Sequence, residues 1–86
     1  MVVEQLHEPL KVRADFEGGS VRPLQFRSRS RGVLLITRMN ASWESREDRN
    51  RFLYFSVCVE GSSDVFQLCY RERDRTWWLD SVMMDA

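Results

Sequence analysis

The sequence predicts an all-β domain, a small SH3-like barrel or rolled antiparallel sheet of five or six short strands. Two observations carry that prediction. Apolar residues recur mostly with period 2 rather than 3.6, and the C-terminal half resolves into three strands whose registers agree on one apolar face. Length fits the same reading. A chain of 86 residues makes a single domain, 1–86, able to bury about 60–65% of its unfolded surface.

The meander is the clearest part. Residues 52–59, FLYFSVCV, are rich in aromatic and β-branched types. Gly61-Ser62-Ser63-Asp64 is a turn cluster, and VFQLCY (65–70), a charged Arg71–Arg75 stretch and TWWLDSVMM (76–84) follow. A four-residue loop at 61–64 would set Val59 opposite Phe66, Val57 opposite Leu68 and Phe55 opposite Tyr70. A loop at 72–75 would set Tyr70 opposite Trp77 and Leu68 opposite Leu79. One face is then apolar across all three strands, and a one-residue slip would expose it.

The first half is less regular. Residues 1–8 read as a disordered arm, and Pro9–Phe16 as a strand with Leu10, Val12 and Ala14 facing inward or as an extended arm. Glu17-Gly18-Gly19-Ser20 is a turn. The next strand runs from Arg22 to Ser28 with Leu24 and Phe26 on one side, and Val33–Met39 is its neighbour. Residues 40–51, NASWESREDRNR, read as a polar loop, where Ser45-x-x-Asp48 would cap one helical turn.

Chemistry is sparse. His7 is the single histidine and the two cysteines, Cys58 and Cys69, are eleven apart, so neither a Cys–His nucleophile nor a four-ligand metal site is indicated. Glu47-Asp48 and Glu72-x-Asp74 are interleaved with arginines, the pattern of a solvated face. No phosphate-cradling glycine loop is present. The expectation is a non-enzymatic protein without a cofactor. With 13 basic and 13 acidic residues, the chain lacks the basic footprint of a nucleic-acid binder. The longest apolar run, Val33–Ile36, falls far short of the ~20 residues of a membrane helix. The start, MVVEQLHEP, is not a secretory signal. A cytoplasmic protein, monomeric or weakly dimeric, is expected.

Two surfaces are candidates for binding. On the outer face of the meander, Tyr54, Arg71 and Trp78 are residue types enriched at protein interfaces. In the tract RSRSR, alternation puts Arg27, Arg29 and Arg31 on one side, and Gly32 permits the turn that follows. Together with the aromatic face, those arginines could instead hold single-stranded nucleic acid.

The order Phe26, Arg29, Arg31-Gly32, the run 33–36, Trp43, Arg51-Phe52-Leu53-Tyr54, Phe66–Tyr70 and Trp77-x-Leu79-Asp80 resembles a family of small bacterial domains of unknown function. Members stand alone or lie at the C-terminal end of Y-family polymerase-like mutagenesis proteins. The resemblance spans roughly residues 23–85. It departs at Ser28 and Ser30, where members carry an aromatic and a glycine, and near Trp43, where they carry a second tryptophan. It implies a β fold and a link to DNA-damage tolerance, and no catalytic residues.

The leading expectation is thus a protein-interaction module, with single-stranded nucleic-acid binding as the alternative. Labelled single-stranded DNA should bind no tighter than ~10⁻⁴ M at physiological salt. Micromolar, steeply salt-dependent binding lost on changing Arg27, Arg29 and Arg31 to Ala would reverse that ranking.

Overall fold

The computed structural model describes residues 2–84. Six strands follow one another: β1 Val2–Glu17, β2 Ser20–Ser28, β3 Gly32–Glu47, β4 Asn50–Val59, β5 Val65–Arg71 and β6 Thr76–Met84. Each pairs antiparallel with the next, and β1 closes the barrel against β6. The described residues contain no helix.

The inward face of β4, β5 and β6 forms most of the core. Phe55, Val57, Phe66, Leu68, Tyr70, Trp77, Leu79 and Val82 are buried, and Phe26 and Leu10 reach them from β2 and β1. Each buried side chain of this size stabilises the fold by about 1.5–3 kcal/mol. On β5–β6, Tyr70 faces Trp77 and Leu68 faces Leu79, as the apolar pattern required. On β4–β5 the face is the expected one but the register is shifted by two. Phe55 faces Leu68 and Val57 faces Phe66, not Tyr70 and Leu68. On its other edge the end of β4 is held by β3, with Val59 paired with Ile36 and the Glu60 amide donating to the Leu35 carbonyl at 2.9 Å. The β4–β5 ladder stops at Cys58–Val65. The connection turns at Gly61, φ 78°, the Asp64 amide donates to Ser62 Oγ at 3.1 Å, and the link is longer than four residues.

Residues 40–51 are not a loop with a helical turn. β3 continues through them, with Trp43 opposite Tyr54 and Glu47 opposite Asn50. The chain reverses at Asp48-Arg49, both at positive φ, 47° and 69°. That is the signature of a two-residue primed turn, whose twist matches the flanking strands. Ser45 is a strand residue, so it caps nothing.

Residues 2–8 form the first half of β1 and pair with β6, Val2 opposite Met84 and Glu8 opposite Leu79. A register shift between Gln5 and Glu8 bends β1, so its second half leaves β6 and pairs with β2. Leu10, Val12 and Ala14 face inward as expected. On β2 the expectation for Leu24 fails. A bulge opposite Arg13/Ala14 leaves Leu24 unpaired, buries Pro23 in its place and restores Phe26 to the core at 1% exposure. Proline lacks the amide that a regular ladder would need, and bulges are where strands tolerate it.

Arg49 has a Cβ in a left-handed turn position, which costs about 1–2 kcal/mol. Arg49→Gly should therefore raise the unfolding free energy by about 1 kcal/mol in a urea titration, with an unchanged slope.

Candidate functional site

Tyr54, Cys69 and Trp78 face one another across β4, β5 and β6 on the outside of the barrel. Trp43 extends the row onto β3 and Pro9 extends it onto β1. The rings pack against their neighbours. Trp43 stacks on Tyr54 with centroids 5.5 Å apart and 12° between planes. His7 stacks on Trp78 at 4.6 Å and 13°. The Arg71 guanidinium lies over Trp78, 5.8 Å from the ring centroid. Its Nε donates to Asp74 Oδ1 at 3.0 Å, which also accepts from the Thr76 hydroxyl at 2.7 Å. Trp78 Nε1 donates to that hydroxyl at 3.0 Å. Arg71 and Trp78 are thus in contact, Tyr54 shares their face with Cys69 between it and Trp78, and all three are half-buried. Trp43, on a stretch whose polar pattern predicts a loop, is the member that stays open, at 43% exposure.

The electrostatics of the row follow from this packing. Burial, and then its neighbour Cys69, push the Tyr54 phenol up to about 12. Burial raises the Cys69 thiol as well. A nucleophilic cysteine needs the opposite shift. Hydrogen bonds from Arg71 and Thr76 hold the Asp74 carboxyl well below the usual range. Among the described residues no group of three metal-ligating side chains exists.

The arginine tract divides. The β2–β3 turn spans residues 29–31 and ends on Gly32 at φ 74°. Arg27 faces Lys11 across β1–β2, and with Arg29 they line an open groove of about 390 Å³ floored by Pro9 and Leu10. Arg31 departs from that group. It lies over the Phe66 ring at 5.8 Å and donates to the Ser30 hydroxyl at 3.2 Å. The intervening serines are structural. Ser28, 2% exposed, donates to Glu8 Oε2 at 2.6 Å, and Ser30 donates to Glu8 Oε1 at 3.2 Å.

A third feature escaped the sequence. β2 and β3 pair only through Gln25–Ser28 and Gly32–Leu35. Beyond that point β2 bonds β1 alone and β3 bonds β4 alone. Two unpaired strand edges therefore flank a groove of about 280 Å³, lined by Val21, Ser42, Trp43, Glu44, Leu53 and Phe55 among others. Residues 37–44 of β3 are exposed on both faces. The signal was available in principle, since the apolar pattern of residues 40–47 is too weak for a strand buried on either face.

No family model, no curated protein and no solved structure matches the chain. No helix among the described residues is long and apolar enough to cross a membrane.

The raised Tyr54 phenol makes one pH dependence predictable. An unfolded tyrosine ionises near 10 and the folded one near 12, so its contribution is complete below pH 10 and is lost as pH rises through about 12. Urea titrations across that window should show wild type losing stability more steeply than Tyr54→Phe. Parallel losses would contradict the assignment.

Proposed function

We propose that the protein is a non-catalytic interaction module of the cytoplasm that takes an extended segment of a partner protein along the open edge of β3. The carrying observation is that, among the described residues, no strand pairs with the outer side of β3 from Ile36 onward. Such an edge offers main-chain donors and acceptors, and strand addition uses them for affinity while alternate side chains provide specificity.

Two features favour residues 41–47 within this edge. Register shifts interrupt the ladder at Ile36/Arg38 and Met39/Ala41, and bulges of this kind blunt edges against pairing. From Ala41 to Glu47 the ladder with β4 is regular, so an added strand would meet a straight template. Trp43 sits in the middle, fixed by its stack on Tyr54. A rigid, exposed tryptophan is the side chain most enriched at the energetic centre of interfaces. The row from Tyr54 to Trp78 and Arg71 then acts as the support that holds Trp43. A partner from a DNA-damage-tolerance assembly is the one the family resemblance implies.

Single-stranded nucleic acid is the weaker reading. Base stacking needs free aromatic faces, whereas His7 covers one face of Trp78 and Trp43 covers one of Tyr54. Arg71 is also paired with Asp74.

Peptides selected from a random library against the intact protein test the proposal. They should slow hydrogen exchange in residues 41–47, and Trp43→Ala should weaken them by about 2 kcal/mol, roughly thirtyfold. Protection confined to other strands, or full affinity in the alanine variant, would defeat it.

A further inference from the structure

The β1–β2 ladder holds two cations in register. Lys11 lies directly opposite Arg27, and like charges so placed destabilise a sheet pair. Farther along the same ladder Asp15 faces Arg22, so β1 and β2 do carry an opposite pair elsewhere. Among the described residues no ion pair engages Lys11, Arg27 or Arg29. The acid closest to them in sequence, Glu8, has both carboxylate oxygens committed to Ser28 and Ser30. All three cations converge on one groove, whose floor is Pro9 and Leu10. The repulsion is therefore left standing at a place shaped to receive something.

We propose that this groove binds a phosphate monoester. The dianionic phosphoryl group sits between Lys11, Arg27 and Arg29, and the organic part of the molecule lies on Pro9 and Leu10. Guanidinium forks match the oxygens of a phosphoryl group in pairs, and lysine adds a point charge. The ligand carries its charge in one compact group rather than along a strand. The fourth cation of this corner, Arg31, is turned away over Phe66, and the chain as a whole has zero formal charge. Along this face of β1 positive charge continues only to Arg13 and meets the acid Asp15 at the next outward position, so a polyanion tracking the surface would find it interrupted there. This site is separate from the open edge of β3, and neither reading depends on the other.

The experiment follows amide resonances and the melting temperature as phenyl phosphate is added, with sodium chloride at matched ionic strength as the control. Phenyl phosphate should move the amides of residues 10–11 and 27–29 saturably, and inorganic phosphate should do so more weakly. Arg27→Ala should weaken binding roughly tenfold, the effect of one charge-assisted hydrogen bond. Lys11→Glu has a signature of opposite sign in its two halves. It should abolish phosphate binding and yet raise the melting temperature without ligand, because it turns a repelling pair into an attracting one. Shifts no larger than those from chloride would overturn the proposal, as would a lowered melting temperature for Lys11→Glu. An oligonucleotide lacking a terminal phosphate that binds as tightly as phenyl phosphate would overturn the monoester assignment.

Discussion

The barrel depends on the contact of Leu68 with its neighbours on either side. It faces Phe55 on β4 and Leu79 on β6, and both Leu68 and Leu79 are fully buried. A slip of one residue in either hairpin would turn this face to water, losing the burial of every inward side chain at once. A slip of two costs nothing in that sense, because the inward set stays inward. The choice between registers two apart must be made elsewhere, and it goes with the connection, which turns at Gly61 and ties the Asp64 amide to Ser62 Oγ. The core excludes most arrangements, and the turn distinguishes those that remain.

The same logic governs the rims. A small barrel must close its interior at both ends with side chains, and charged groups there need partners to be tolerated. At one rim Glu8 accepts hydrogen bonds from Ser28 and Ser30, with Arg31 laid over Phe66. At the other Arg51 bridges Glu44 and Glu72, at 3.0 and 2.8 Å, and Phe16 meets Tyr70 edge-on at 5.8 Å. The Arg51 and Arg46 hydrogen bonds keep the Glu44 carboxyl below its ordinary range. Because these groups are partly exposed, solvent screens each pair, and such pairs are worth little individually. Their role is geometric. They fix where β3, β4 and the β5–β6 turn lie, and so where the edge of β3 and its Trp43 are presented.

How much of this was legible follows from which forces act locally. Alternation in β4, β5 and β6 is strong because one face is wholly buried, so the fold class and the Tyr70–Trp77 pairing could be read directly. The longer β4–β5 connection could not, because registers two apart keep the same side chains inward and the apolar pattern does not tell them apart. NASWESREDRNR looked like a loop because a strand exposed on both faces has no apolar period to display. Its turn, Asp48-Arg49, lacks the Asn-Gly or Asp-Gly signature and was invisible for the same reason. Tyr54, Arg71 and Trp78 were placed on one face correctly by parity alone. Their coverage depended on His7, from β1 at the other end of the chain, and on Trp43, from a stretch whose pattern predicts a loop. Ser28 was read as half of a basic tract, and its burial against Glu8 required knowing that β1 closes the barrel.

Local rules are most informative where the molecule breaks them. Most of this chain obeys its own patterns: apolar residues face inward, Pro23 sits at a bulge, and charged rims are paired. Among the places that do not conform, three stand out. Lys11 faces Arg27, β3 leaves its edge unpaired beside exposed Trp43, and Arg49 holds a strained turn. The strain at Arg49 has a local use, since the primed turn is what lets β3 and β4 pair to their ends. The other two have no internal partner that would repay them. A repelling pair lowers the stability of the isolated molecule, and an open edge leaves main-chain donors and acceptors to water where a strand could take them. An anion would relieve the first and an added strand would use the second, which is the physical reason to look for function there. The better-packed aromatic row, already in contact with itself, gives less cause to do so.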